Sequence, residues 1–359
     1  MRARTRIAFI LPHLRPGGAE RVVINYLRAL DRKRFEPFLF LARREGAFLD
    51  LVPQDVIVVD LGGARARRLP GRIAKALEAH RIDAAYSATD AANLALLASR
   101  WFGAGRTLRI VSVHTTPSSW LAEAKHPRLR RWLMRRLYSS AGLVAVPAEA
   151  VAAELKQLGI PSIMLPNPVI DEVVAVQRPK PGPLRVVAAG RLVEAKGFDL
   201  LIDAAAALAG DFQLDIYGDG ALRDALSRQV AERGLEQRVA LPGHADPSVI
   251  FQGADLCVVP SRREGFGNVV VEAMAAGVPV LAAACPGPAA LIVDGRNGFL
   301  VEPGSSAALS DAMGALLAHP ERRTSVVEAG RRTAAQFEVH AATRRLEEAV
   351  KGLVGKMCR

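Results

Sequence analysis

Pro260-Ser261-Arg262-Arg263-Glu264-Gly265-Phe266-Gly267-Asn268-Val269-Val270-Val271-Glu272-Ala273-Met274-Ala275-Ala276-Gly277-Val278-Pro279-Val280 follows the apolar run Leu256-Cys257-Val258-Val259. The run predicts a buried strand. The residues after the glycines predict a helix that stops at Gly277-Val278-Pro279. Glu264 falls in the loop and Glu272 more than a turn into the helix, so both look back toward the helix N-terminus. Free N–H groups and a partial positive charge at that end suit a phosphate. Carboxylates are poor phosphate ligands but good acceptors for hydroxyl groups on a ribose or a sugar ring. The stretch therefore predicts a strand–turn–helix unit built for a phosphorylated polyol.

Units of this kind recur along the chain. Strands are expected at 6–11, 36–41, 56–60, 83–87, 109–114 and 142–146, and helices near 19–30, 72–80, 90–101, 127–139 and 148–158. The rhythm breaks at 166–183, where five prolines and a glycine mark a linker. It restarts at Leu184-Arg185-Val186-Val187-Ala188-Ala189, with a helix from about 197 and strands near 212–217, 238–241, 255–259, 279–283 and 298–301. The expected architecture is α/β, with two Rossmann-like parallel-sheet lobes and a ligand cleft at the carboxyl ends of the strands. The N-terminal lobe is assigned residues 1–170 and the C-terminal lobe 171–337.

Composition fits this plan. A chain of 359 residues is long for one core. Half of it is apolar and only 5% aromatic, and no stretch approaches the length of an uncharged membrane span. Basic residues precede Ile7-Ala8-Phe9-Ile10-Leu11, but that run is short, meets Pro12-His13 and lacks a small-residue cleavage site; it reads as a first strand. Cys257, Cys285 and Cys358 have no metal-ligand spacing, and the odd count argues against a disulfide framework. These features point to a cytoplasmic protein. Residues 1–170 hold 27 Lys and Arg against 13 Asp and Glu, whereas residues 171–359 hold 21 against 23. Such asymmetry predicts an anionic surface met by the first half alone, nucleic acid or anionic lipid.

Further segments carry candidate chemistry. Gly190-Arg191-Leu192-Val193-Glu194-Ala195-Lys196-Gly197 places a guanidinium fork and a point charge after a strand end, which is either an anion trap or a pair of solvated basic residues. Gly17 and Gly18, in Pro16-Gly17-Gly18-Ala19-Glu20-Arg21, lie between the first strand and helix. That spacing is neither a dinucleotide fingerprint nor a P-loop, and a plain turn accounts for it equally. Tyr217-Gly218-Asp219-Gly220 is likewise a strand-to-helix turn, and His114 in Ser112-Val113-His114-Thr115 is on its own as readily a packed histidine as a reactive one.

Taken together, these motifs resemble retaining family-4 glycosyltransferases of the GT-B fold. The opening stretch matches their Glu-x7-Glu signature, residues 190–197 their Gly-Arg-Leu-x-x-x-Lys-Gly, residues 17–21 their Gly-Gly-Ala-Glu-Arg loop and residues 113–115 their Val-His-Thr. The resemblance spans nearly the whole chain and is strongest over 184–300. It implies that Arg191 and Lys196 hold the donor diphosphate, and that Glu264 holds a hydroxyl of the donor sugar. It also implies that Glu272 holds the ribose, and that the backbone of Phe266, Gly267, Asn268 and Val269 contacts sugar and phosphate. Gly218 and Gly220 would line the nucleotide, Gly17 and Gly18 would close over the diphosphate, and His114 would lie near the donor sugar. The last helix, within 338–359, would pack back on the first lobe. Metal-independent transfer from a UDP- or GDP-linked sugar is implied, with no bound cofactor, to a saccharide or lipid-linked saccharide acceptor in polysaccharide or glycolipid assembly. One departure stands out: within Cys285-Pro286-Gly287-Pro288-Ala289-Ala290-Leu291, the family's glutamate is absent and Pro288 replaces a glycine.

Residues 127–139 predict a basic amphipathic helix, with Leu129, Trp132, Leu133 and Leu137 on one stripe and Arg128, Arg131 and Arg135 on another. The helix is either core-packed with a solvated face or laid on an anionic bilayer. Arg65, Arg67, Arg68 and Arg72 add a second basic cluster, which favours a peripheral membrane-facing first lobe on the cytoplasmic face, with Arg128, Arg131, Trp132 and Arg135 at the membrane or acceptor. A sugar-nucleotide epimerase or phosphorylase of the same fold is the nearest alternative. A nucleic-acid-binding protein would leave Glu264, Glu272, Arg191 and Lys196 unexplained, and no nucleic acid partner is expected.

Overall fold

The computed structural model describes residues 4–63, 68–122, 126–171 and 182–357. Arg65 and Arg67, and residues 172–181 of the expected linker, lie outside the described residues. The chain forms two compact units, Met1–Asp171 with Phe337–Arg359, and Glu172–Gln336.

The first unit holds seven parallel strands: β1 Thr5–Leu11, β2 Phe35–Leu41, β3 Ile57–Asp60, β4 Ala84–Ser87, β5 Leu108–Ser112, β6 Leu143–Val146 and β7 Ile163–Met164. Their order, β3-β2-β1-β4-β5-β6-β7, reverses direction of growth between β1 and β4, as in a doubly wound sheet. Ile7 pairs with Pro37 on one side and Ala84 on the other. With helices packed on the sheet, β1 and β2 read as continuous apolar runs rather than alternating ones. Phe9, Tyr26 and Tyr86 pack ring against ring at the centre, with centroids 5.4 to 6.0 Å apart. The segment after β7 is tied to the first helix, Gly18–Ala29, where the Asn25 amide donates to the Pro168 carbonyl at 2.9 Å.

The C-terminal helix, Val339–Met357, packs on this same unit, with Leu346 and Val350 in its core. The buried Glu347 accepts a hydrogen bond from the Asp31 N–H at 2.7 Å and pairs with Arg34 at 3.3 Å.

The second unit holds six parallel strands: β8 Leu184–Ala189, β9 Phe212–Tyr217, β10 Val239–Gly243, β11 Leu256–Val259, β12 Val280–Ala283 and β13 Phe299–Val301. Their order is β10-β9-β8-β11-β12-β13, with the reversal between β8 and β11. Val186, Leu214, Leu256, Val258 and Leu281 from neighbouring strands meet Phe198 and Ile202 in its core. Several elements escaped the sequence reading. β7 is two exposed residues at the sheet edge, too short for a pattern, and the six-residue helix Pro117–Ala122 opens on its proline without apolar periodicity. In the second unit the helices Arg223–Glu232, Ser306–Ala318 and Val327–Ala334 were likewise not assigned.

Glu347→Ala strips the Asp31 amide of its acceptor and Arg34 of its partner. It is expected to cost about 1–3 kcal/mol, read as a lower urea midpoint at unchanged slope for the unit that carries the C-terminal helix.

Candidate functional site

β8 and β11 are neighbours at the reversal point of the second sheet, and each runs at its carboxyl end into a segment singled out by sequence. Such points leave a crevice between diverging loops. Here the loops clasp one another. The backbone N–H groups of Arg262 and Arg263 donate to the Ala195 carbonyl at 2.9 and 3.1 Å. The Arg262 guanidinium grips both carboxylate oxygens of Asp199 at 2.6 and 2.7 Å and reaches the Glu194 carbonyl at 3.2 Å. That fork holds the Asp199 carboxyl below the usual range, against the opposing effect of its partial burial. Gly197 allows the approach: its φ is +68°, and a Cβ there would sit 2.2 Å from the Pro260 carbonyl oxygen.

Within this clasp Lys196 Nζ donates to Glu264 Oε2, and both side chains are mostly buried. Ser261 Oγ reaches the same carboxylate oxygen at 3.4 Å. The expected diphosphate cation and the expected hydroxyl acceptor are therefore each other's partner. Arg191 is exposed and makes no side-chain hydrogen bond or ion pair among the described residues, which leaves its fork available. Behind the Glu264 loop, the Gly287 N–H donates to the Glu264 carbonyl at 2.9 Å and Cys285 Sγ lies 3.0 Å from the Ser261 carbonyl. The segment that lacks the family's glutamate thus braces the loop. Burial, with the Glu264 charge second, pushes the Cys285 thiol up to about 11.

Gly267 opens the helix Asn268–Ala276, whose N-terminus has no side-chain cap and no acidic residue in its first turn. Phe266 is buried, so its ring anchors the turn. Asn268, Val269 and Glu272 are partly exposed, and the Glu272 charge adds to burial in raising the thiol of Cys257 on β11. Gly218 and Gly220 pack directly on the Arg191 loop. A Cβ at Gly218 would lie 1.8 Å from the Gly190 carbonyl oxygen, and one at Gly220 2.5 Å from that of Leu192. Backbone packing alone accounts for both glycines, and it places their turn against residues 190–192.

In the first unit, Gly17 precedes the helix Gly18–Ala29, and the Glu20 carboxylate folds back so that a Cβ on Gly17 would meet its Oε2 at 2.3 Å. His114 lies just beyond β5. The residue is partly exposed, but its Nε2 is buried without a hydrogen-bond partner among the described residues, and burial lowers its pKa to about 4. Thr89, just beyond the adjacent β4, has a buried Oγ1 in the same condition. Sequence reasoning missed Thr89 because Thr-Asp before a helix reads as an ordinary cap. Below them Asn93 links Ser87 at 2.6 Å, the Ser112 carbonyl at 2.8 Å and the Tyr138 hydroxyl at 3.2 Å.

The basic helix Pro127–Tyr138 splits its expected apolar stripe. It buries Met134, Leu137 and Tyr138, while Leu129 and Trp132 are 54% and 60% exposed. The Tyr138–Asn93 bond pins its rotation, so Trp132 shares the outer face with Arg128, Arg131 and Arg135 instead of the stripe of Leu133 and Leu137. Among the described residues, no His, Cys, Asp or Glu cluster is placed to hold a metal, and no helix is long and apolar enough to cross a membrane.

Two Rossmann-like parallel-sheet lobes, with charged loops at the switch point of the second, define the GT-B class. The profile of "Glycosyltransferase Family 4" matches residues 16–173 and that of "Glycosyl transferases group 1" residues 169–333. The chain belongs to the family-4 type of glycosyltransferases. It is 37% identical over 178 residues to the lipopolysaccharide core biosynthesis glycosyltransferase LpsE of Rhizobium meliloti, covering 48% of this chain and 52% of LpsE. With alpha-D-kanosaminyltransferase of Streptomyces kanamyceticus it shares 37% over 165 residues, covering 44% of this chain and 42% of that protein. The chain thus aligns with about half or less of these curated relatives. Over 97% of its length it superposes on all of Anabaena HepE, solved with UDP and glucose, at a TM-score of 0.83 and 25% identity.

Gly197→Ala is expected to destabilise the second unit by about 2 kcal/mol or more, from the left-handed backbone and the blocked contact together, seen as a lower thermal midpoint. A second expectation concerns pH. The unfolded His114 takes up its proton near pH 6.5 and the folded one only near 4. Its contribution to stability is therefore complete above about pH 6.5 and lost as pH falls toward 4. His114→Asn should flatten that slope in denaturant titrations; an unchanged slope would contradict the burial.

Proposed function

We propose that the chain transfers a sugar from a nucleotide-diphosphate sugar to a saccharide or lipid-linked saccharide, with retention of anomeric configuration, in polysaccharide or glycolipid assembly. The observation that carries this reading is the Lys196–Glu264 pair beside the unpaired Arg191 at the switch point of the second sheet. A diphosphate entering this site competes for Lys196. As Lys196 turns to the phosphate oxygens, Glu264 is released to accept a hydroxyl of the donor sugar, and Glu272 accepts from the ribose. Arg191, Lys196 and the N-terminus of the helix Asn268–Ala276 then stabilise the charge that develops on the leaving diphosphate, a contribution that can dominate such a reaction.

In the transfer step the bond from the anomeric carbon to the phosphate oxygen breaks, and the acceptor oxygen bonds to that carbon on the same face. The acceptor proton passes to the departing phosphate oxygen. No enzyme nucleophile and no metal ion are needed in this scheme. The first unit is assigned the acceptor. His114, neutral at ordinary pH, offers a hydrogen bond rather than a charge, and Gly17-Gly18 offers backbone. A UDP-linked donor is favoured over a GDP-linked one because HepE was solved with UDP, and the name of LpsE supports an acceptor of the lipopolysaccharide type. The basic first half is assigned to a membrane surface, with Arg128, Arg131, Trp132 and Arg135 facing it from the cytoplasmic side.

Glu264→Ala should leave a folded protein that no longer transfers sugar, assayed by release of nucleotide with acceptor present; full activity would sink the assignment. Chelation of divalent ions should leave the wild-type rate unchanged. A sugar nucleotide consumed or isomerised without acceptor would favour an epimerase or phosphorylase instead.

A further inference from the structure

The outer face of the helix Pro127–Tyr138 is concave where it meets the end of the neighbouring helix Glu149–Gln157. Arg128, Arg131, Arg135 and Arg136 line a pocket of about 510 Å³ together with Trp132, and Leu158-Gly159 form part of its wall. The spacing explains the grouping. Residues 128, 131, 132, 135 and 136 fall at i, i+3, i+4, i+7 and i+8, on one helical face.

This cluster is unfavourable as it stands. The four guanidinium groups are exposed, and none makes a hydrogen bond or ion pair among the described residues. Like charges three and four residues apart repel, and Arg128 sits in the first helical turn, where the macrodipole is also positive. Glu149, Glu154 and Lys156 are the charged groups of the adjoining helix, and Glu154 is engaged elsewhere, accepting from the Ser118 N–H and hydroxyl at 2.7 Å. An anion is the ligand that such a lining suits. Planar forks that can each give two parallel N–H bonds match phosphate oxygens better than a lone carboxylate. A volume of this size takes more than one phosphate, with room for a ring or apolar portion against the exposed face of Trp132.

The geometry points to a second anion site, a pocket for a phosphate-bearing group, held by Arg128, Arg131, Arg135 and Arg136 and separate from the residues assigned to the donor. It deepens the membrane-side reading of this helix and rests on that reading only for the source of the phosphate. That source is either a lipid headgroup or a soluble phosphorylated saccharide.

The test uses the full chain with the donor site saturated by UDP, titrated calorimetrically with inorganic pyrophosphate. Wild-type protein should bind, and Arg131→Gln/Arg135→Gln should weaken that binding by about tenfold or more while UDP affinity is unchanged. Arg131→Lys/Arg135→Lys should also bind more weakly than wild type, because point charges replace forks. A parallel flotation with phosphatidylglycerol–phosphatidylcholine vesicles separates the sources. Salt-sensitive flotation displaced by pyrophosphate identifies a headgroup pocket, and pyrophosphate binding without flotation identifies a soluble ligand. No pyrophosphate binding by the UDP-loaded wild type, or equal binding by the Gln or Lys variant, would overturn the site. Failure of UDP to bind would instead count against the donor reading, and the comparison among variants would still decide the pocket.

Discussion

The approach of Gly197 to the carbonyl of Pro260 is the contact on which the second unit's chemistry depends. Two loops leave adjacent strands at a switch point, where the twist of the sheet carries them apart. The missing Cβ lets their backbones touch, and two N–H bonds to Ala195 and the Arg262–Asp199 fork then hold them in register. Only with that register set do Lys196 and Glu264, 68 positions apart in sequence, fall within a hydrogen bond of one another. A shift of one loop by a fraction of a residue would leave a buried carboxylate without its cation, a costly state in a partly desolvated site.

The 285–295 segment touches the same loop from behind. Where the family's glutamate is absent, Gly287 and Cys285 bond the backbone behind Glu264. The two units also divide electrostatic labour. The near-neutral second unit concentrates a few cations at one point, whereas the basic first unit spreads its excess over surfaces such as the outer face of the helix Pro127–Tyr138. Local charge placement selects a ligand, and broad charge raises the local concentration of an anionic partner.

Much of this was legible in the sequence, because most strands of both sheets are short, largely apolar runs. The stretch 256–277 shows a strand, a turn and a helix ending at Gly277, since each carries its own local signal. What stayed hidden depends on tertiary contact. That Lys196 pairs with Glu264, and that Asp199 anchors Arg262, follows from strand adjacency and not from spacing. The rotation of the helix Pro127–Tyr138 was not legible, because spacing alone groups Trp132 with Leu133 and Leu137, while the polar Tyr138–Asn93 bond has no periodic signature. Thr89 was invisible for a similar reason, as its want of a partner exists only in the folded sheet.

The central claim is that Lys196 is shared between Glu264 and the donor diphosphate. Calorimetric titration of UDP into wild type, Lys196→Ala and Glu264→Gln tests it directly, because the two substitutions should act in opposite directions. Lys196→Ala removes a phosphate ligand and should weaken UDP. Glu264→Gln removes the competitor for Lys196 and should leave UDP bound as tightly as in wild type or more so. Equal UDP affinity in Lys196→Ala and wild type, or weaker binding in Glu264→Gln, would contradict the account.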